Sequence, residues 1–348
     1  MSILRKMHTN YICLKYLMNE EKTSMSELGF GKRIKYLTRG FSSEKYRLYN
    51  LAENNYKLYL SDFQRRKTST INKRHSIVIN DKNLFEKLLK NDDITAENYG
   101  YVQNGQIYLN NKCSKLADLM EIVKDQEHII IKKMEGGGGK EIFKISHLNN
   151  DIYIDDEIVS YEKFESFISS LQKHIIQQYI IQASYSDNIY SGTINTIRIL
   201  TMRDPDTKEA FIATAVHKFG SEKTKPVDNV WKGGMTALVD LDTGVLQQAA
   251  YHHSNNKKIE WKETHPDTNE KIEGTVIPNW ENVKSTILNL TNELSYLNYV
   301  GWDAVVTDDG VKVIEGNNYS DVNILQIHQP LLNNEKVKRF YKYHGIIK

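Results

Sequence analysis

Between Val300 and Asn318 the chain reads VGWDAVVTDDGVKVIEGNN, two apolar runs on either side of Asp308-Asp309-Gly310. This pattern predicts a β-hairpin, and a three-residue loop with its glycine in the left-handed region suits the spacing. With the loop at 308–310, Thr307 faces Val311, Val305 faces Val313 and Asp303 faces Glu315. Asn317 then lies two residues further along the same face. Carboxylates directly opposed on a sheet repel one another. Either a cation sits between them, or both are ordinary solvent-facing acids in a hairpin whose register has slipped by one residue. A donor set made only of oxygens selects a hard ion such as Mg²⁺, held in part by substrate phosphates, and does not suit zinc.

The hairpin belongs to a chain of 348 residues, long enough for two domains or one large multi-lobed unit. With 40% hydrophobic and 26% charged residues at a net charge of +2, the composition is that of a folded globular protein and excludes disorder. Apolar runs such as Ile129-Ile130-Ile131 are far shorter than a membrane span, and the first residues lack an apolar signal segment, so a cytoplasmic protein is expected. Cys13 and Cys113 form neither a disulfide framework nor a zinc-spaced cluster. Charge is uneven: residues 1–75 carry 16 Lys and Arg against 6 Asp and Glu, a net +10, which leaves −8 for the remainder. Such a basic segment is either a solvated helical face or a docking region for an anionic partner.

From Ser43, the residues Tyr46, Tyr49, Tyr56, Leu60 and Phe63 recur at helical spacings and predict a helix with a buried aromatic stripe. The polar stretch Arg65 to Arg74 reads as a connector to a first strand at Ser76–Ile79. Helices are then expected at NLFEKLLKN, near Leu116–Val123, over Tyr161–Lys173 and over Trp280–Leu297. Strands are expected around Tyr108-Leu109, at Ile129–Lys132, Glu141–Ile145 and Asp151–Ile154, and at Ile175-Ile176. Further strands follow at Thr196–Met202, Ala210–His217, Met235–Leu241, Gly301–Val306 and Val311–Ile314. Hairpin-joined strands with interspersed helices make the class α+β. Residues 251–279 are polar and turn-rich, as a binding loop or lid would be.

Two further segments carry chemistry. In IIIKKMEGGGGKEIFKI, the run Gly136, Gly137, Gly138 and Gly139 fits neither a P-loop nor a Rossmann turn. Glycines nevertheless free the backbone to lay N–H groups against phosphate, and Lys132, Lys133 and Lys140 add positive charge; the alternative is a flexible hairpin tip. In GTINTIRILTM, Asn195 and Arg198 interrupt an apolar strand. A buried arginine needs an anion, which is either a ligand or a structural carboxylate. Lys218 follows, then DNVWKGG, in which Asn229 and Gly233-Gly234 are placed to close over phosphates. The pair His252-His253 is either catalytic or a plain surface pair.

From about Asp81 onward these pieces resemble the ATP-grasp superfamily, and within it the branch associated with sugar transfer and polysaccharide gene clusters. The resemblance implies two α+β subdomains gripping ATP. These would be a lid subdomain over residues 76–180 and a metal-bearing subdomain over 181–348, preceded by the basic helical region 1–75. It assigns Asp303, Glu315 and Asn317 to Mg²⁺, two ions in all. The phosphate lysine is Lys132 or Lys133, beside the Gly136–Gly139 loop and Lys140. The adenine hinge corresponds to Gln177, Gln178, Tyr179 and Ile180. Arg198, Lys218 and Asn229 resemble the phosphate- and carboxylate-neutralising set of amino-acid ligases, with lysine at Lys218 where arginine is usual. The segment from His265-Pro266-Asp267 to Ile277-Pro278 is similar to the sugar-transfer branch. DKNLFEKLL resembles the superfamily's lysine helix, with Lys87 one residue out of a usual spacing.

The implied activity is ATP-dependent carboxylate–amine ligation through an acyl phosphate. Its implied substrates are a uronic acid or amino acid and an amine, with an acceptor that is free, nucleotide-linked or lipid-linked, at the inner face of the membrane. A non-catalytic ATP-binding scaffold and a kinase-like phosphotransferase are the alternatives. No nucleic-acid partner is expected, since an aromatic stripe at helical period packs on its own core before it stacks bases.

Overall fold

The computed structural model describes residues 3–24, 28–89, 94–134, 141–252 and 259–348. In chain order, helices α1 (Ile3–Thr23), α2 (Phe30–Leu37), α3 (Ser43–Leu48), α4 (Asp62–Thr68), α5 (Ile77–Asn80) and α6 (Lys82–Leu89) come first. Strands β1 (Asn98–Gln103), β2 (Gln106–Leu109) and β3 (Lys112–Ser114), helix α7 (Leu116–Gln126) and strands β4 (His128–Lys133), β5 (Ile142–Leu148), β6 (Asp151–Ile154) and β7 (Glu157–Val159) follow. Helix α8 (Tyr161–Ser170), strand β8 (His174–Gln178) and helix α9 (Ser184–Ile189) lead to β9 (Ile197–Arg203), β10 (Ala210–Phe219), β11 (Met235–Val239), β12 (Leu246–His252) and β13 (Ile259–Lys262). Helix α10 (Trp280–Glu293), strands β14 (Tyr299–Thr307) and β15 (Gly310–Asn317), and helices α11 (Asn323–Gln326) and α12 (Glu335–Tyr343) complete the chain.

The strands form two antiparallel sheets. The first runs β3-β2-β1-β8-β4-β5-β6-β7 and the second β13-β12-β11-β10-β9-β14-β15. One face of the first sheet packs Ile129, Ile131 and Val102 against Leu119 of α7 and Phe164 of α8. Because side chains alternate along a strand, Ile130 and Lys132 of β4 then point to the other face, toward the second sheet. The second sheet is covered on both faces. Trp302, Ile199 and Ala237 meet Trp280 and Ile287 of α10 on one side. Leu200, Met202 and Tyr299 meet Phe340 and Tyr341 of α12 on the other.

The N-terminal helices are bolted to this second layer. Asn72 donates to the Tyr299 carbonyl at 2.6 Å and accepts from the Asn298 amide at 2.8 Å. Gln326 bonds both backbone groups of Leu60, and the Tyr49 hydroxyl donates to Asn323 at 2.7 Å.

Several expectations need correction. The C-terminal hairpin has a two-residue turn, with Thr307 opposite Gly310 and Val305 opposite Lys312. A β-bulge between Asp303 and Ala304 then takes up Ile314, and Asp303 faces Glu315 after all. Ser76–Ile79 is helical rather than extended: four apolar residues do not distinguish the two states, and here Ile79 packs over Gly316, beside Trp302. The long helix from Ser43 is broken into α3, a 3₁₀ turn at Tyr56–Leu58 and α4, because Ser61 and Gln64 form a capping box that starts a new helix. Arg65 to Thr68 therefore lie in α4 rather than in a connector. Within the polar stretch 251–279, Ile259–Lys262 is an edge strand paired with β12.

Trp302 is fully buried, and its Nε1 donates to the hydroxyls of Thr201 (2.9 Å) and Thr291 (3.1 Å). Trp302→Ala is expected to cost about 3–5 kcal/mol in denaturant unfolding through cavity formation; a loss well under that would show that α10 does not depend on this contact.

Candidate active site

A cavity of about 710 Å³ opens between the two sheets. Its first-sheet wall comes from Ile130, Lys132, Lys133 and the segment Gln177 to Ile180; its second-sheet wall comes from Arg198, Lys218, Asp303, Glu315 and Asn317. Ile130 and the segment Gln177 to Ile180 thus share the cavity with a charged floor.

The floor is built by sheet register. Arg198 on β9 lies directly opposite Asp303 on β14, and β15 brings Glu315 to the other side of Asp303. Arg198 grips Asp303 with two parallel bonds, Nε to Oδ1 at 2.6 Å and Nη2 to Oδ2 at 2.8 Å. Lys218 Nζ stands 3.5 Å from Asp303 and 3.2 Å from Asp228. Asp228 is itself held by the Thr196 amide and hydroxyl at 2.9 and 2.6 Å. Asn317 donates to Glu315 and to the Gly301 carbonyl, each at 3.2 Å. Burial alone would raise the Asp303 carboxyl, but the Arg198 and Lys218 charges outweigh it and hold Asp303 well below the usual carboxylate range. Burial and the neighbouring Asp303 charge push Glu315 the opposite way, and Lys82 and Arg198 offset them only in part. Burial disfavours the Lys218 ammonium, yet Asp228 and Asp303 more than compensate and keep it charged.

The buried Asp303 and the half-buried Glu315 face each other with the Asn317 amide beside them, an all-oxygen donor set. That set fits Mg²⁺. Among the described residues no cluster of three His, Cys, Asp or Glu side chains suits a metal.

The other expected residues divide clearly. Lys132 is buried in the cavity wall, whereas Lys133 is half exposed and bonds Glu141 at 2.8 Å. Gln177, Gln178, Tyr179 and Ile180 all line the cavity, with Lys144 over the Tyr179 ring at 4.7 Å. Asn229 lines it too, and its side chain caps the 3₁₀ turn at Val230–Lys232. Gly233 has φ +114° and reverses the chain into β11, so the glycine pair shapes this turn and is not among the cavity residues. Asn195 is structural: it bonds the Tyr190 carbonyl at 2.7 Å and the Gly220 amide at 3.1 Å. His252 is buried edge-on to the ring of Trp231, which lines the cavity, but does not line it itself. Gly136, Gly137, Gly138, Gly139, Lys140 and His253 lie outside the described residues.

Sequence reasoning passed over Lys82, Asp228 and Asp321, all in the cavity wall. Lys82 opens α6, and Lys87, five residues on, is about 140° round the helix and exposed. Asp321 is clamped between Arg65 of α4 (3.2 Å) and Trp231 Nε1 (2.6 Å). Burial would raise its carboxyl, but Arg65 and the Trp231 bond hold it low.

Removing one partner of a buried pair leaves an uncompensated charge. Arg198→Met is expected to destabilise the chain by about 3–5 kcal/mol in denaturant unfolding, and Arg198→Met with Asp303→Leu by less than the single change. A double change that costs the sum of the two single ones would mean that the pair is not coupled.

A family model described as sugar-transfer associated ATP-grasp matches residues 62–339. No curated protein matches the chain. Among solved structures, the chain is similar to an ADP complex of purK, N5-carboxyaminoimidazole ribonucleotide synthetase (9% identity, 69% of this chain and 45% of that one, TM-score 0.36). It is similar also to the ATP-grasp ligase PsnB with a minimal precursor (13%, 75% and 64%, TM-score 0.37). A third is D-alanyl-alanine synthetase A from Vibrio cholerae (9%, 76% and 66%, TM-score 0.44). The chain spans less than two thirds of the length of the first two. The family match takes in well over half of the chain, which therefore belongs to the sugar-transfer associated ATP-grasp family.

Proposed function

We propose that the chain is an ATP-dependent carboxylate–amine ligase. The observation that carries this reading is the charged floor of the cavity, where Asp303, Glu315 and Asn317 converge with Lys132, Arg198 and Lys218 in one cleft. A carboxylate is a poor electrophile, and activating it by phosphoryl transfer requires positioning and charge neutralisation more than a protein nucleophile. Gln177 to Ile180 form the base-holding edge, with Ile130 as an apolar wall. Lys132 faces the phosphates from the first sheet. Arg198 and Lys218, fixed by Asp303 and Asp228, present positive charge from the second, where phosphate and acyl oxygens would lie. A Mg²⁺ ion bound by Asp303, Glu315 and Asn317 would offset phosphate charge and orient the triphosphate. The substrate carboxylate attacks the γ-phosphorus, releasing ADP; an amine then displaces phosphate from the acyl phosphate to leave an amide. Drawing on the family's sugar-transfer description, we assign the carboxylate to a uronic acid or amino acid of a polysaccharide precursor at the cytoplasmic face of the membrane.

The test is incubation with Mg²⁺-ATP, a panel of uronic and amino acids, and hydroxylamine as the surrogate amine. ADP and hydroxamate should form together for at least one carboxylate, and Glu315→Gln should lower both by at least about a hundredfold with an unchanged melting curve. AMP in place of ADP, ADP with a phosphorylated product that needs no amine, or wild-type turnover in Glu315→Gln would overturn the reading.

A further inference from the structure

Helix α1 carries two faces. Cys13, Leu17 and Glu21 are buried against the rest of the N-terminal region, and Tyr16 stands edge-on to Tyr319, a residue of the cavity wall. On another face Leu4, Met7, Tyr11, Leu14 and Met18 recur every three or four residues and remain between 43% and 79% exposed. Five large apolar side chains in one stripe are more than the scattered exposure normal on a surface. After α1 the chain enters α2, where Phe30 and Ile34, one turn apart, are also exposed.

The charges around the stripe are of one sign. Lys15 and Lys22 are exposed and stand four residues after Tyr11 and Met18, on the stripe's own side of the helix. Lys6 is exposed as well, as are Lys32 and Lys35 of α2. The acids of α1 are turned away: Glu21 is buried and bonded to Ser43 and Arg33, and Glu20 lies 3.9 Å from the buried Lys45.

An apolar stripe bordered by lysines, on a helix with no exposed carboxylate among its described residues, matches a bilayer surface with anionic headgroups. A second copy of the chain matches it poorly. The stripe from Leu4 to Met18 is only about 21 Å long, short of the three or four heptads of a stable coiled coil. Stripe-to-stripe pairing would also bring together two regions of net +10. From the stripe, the lysines and the orientation of the acids, we infer that α1 docks the protein on an anionic lipid surface. This goes beyond the proposed reaction and does not rest on it.

The experiment is flotation of the full chain with vesicles of phosphatidylcholine alone or mixed with phosphatidylglycerol. Binding is expected on the mixed vesicles only, weakening as salt is raised. Met7→Glu with Leu14→Glu should lower the partition by about tenfold or more, and Lys15→Gln with Lys22→Gln by several-fold. Neither pair touches the cavity, so nucleotide affinity serves as the folding control; should the first pair fail to fold, the lysine pair decides. Absence of the wild-type chain from the mixed vesicles, or retention unchanged by the lysine pair, would overturn the inference. So would a lipid-free dimer that Leu14→Glu converts to monomer, which would make the occupant a second copy.

Discussion

The buried bidentate pair between Arg198 and Asp303 is the contact on which the site depends. Two charges withdrawn from water must find each other with good geometry, and here the backbone guarantees it, because the residues are cross-strand partners on β9 and β14. Once Asp303 is fixed, Lys218 on the next strand has an anion to approach, and Glu315 on β15 has a like charge to endure. Cations and carboxylates are therefore interleaved across four adjacent strands. The same arrangement sets Glu315 against the charge of Asp303, with Asn317 beside it, and this is the pair to which we assign the cation.

The helical region before residue 77 takes part in this arrangement. Arg65 reaches from α4 to Asp321 at the cavity edge and lies over the Tyr319 ring, with centroid distance 4.6 Å. Asn72 and Gln326 fasten the same region to β14 and α11 through backbone groups. A basic segment that looks like an appendage by charge alone thus braces two wall residues, Tyr319 and Asp321, on its inner side, and leaves a lysine-bordered apolar stripe on its outer side.

How much of this was legible in the sequence differs from residue to residue. Long apolar runs gave β9, β10 and β14, since a strand buried on both faces needs continuous hydrophobics. The facing of Asp303 and Glu315 was also legible, although through a compensation: the turn is one residue shorter than its Asp-Asp-Gly sequence suggests, and the bulge at Ile314 restores the register. Bulges have no local signature, so that step was not readable. Arg198 stood out because arginine in an apolar strand demands an anion, but its partner lies 105 residues away and only the sheet order joins them. Lys82 and Asp321 were missed for a similar reason. Each sits in a short polar stretch of ordinary composition, and becomes a cavity residue only when α6 and the segment after β15 fold against the second sheet. The helix at Ile77–Asn80 went unread because tertiary packing on Trp302 and Gly316 decided its state.

On the reading proposed above, Asp303, Glu315 and Asn317 create a divalent-cation site that governs how nucleotide is held. The most direct measurement is calorimetric titration of a non-hydrolysable ATP analogue into the wild-type chain and Glu315→Gln, each with and without Mg²⁺. Mg²⁺ is expected to tighten binding to the wild-type chain by at least about tenfold and to have little effect on Glu315→Gln. Equal Mg²⁺ enhancement in both proteins would contradict it.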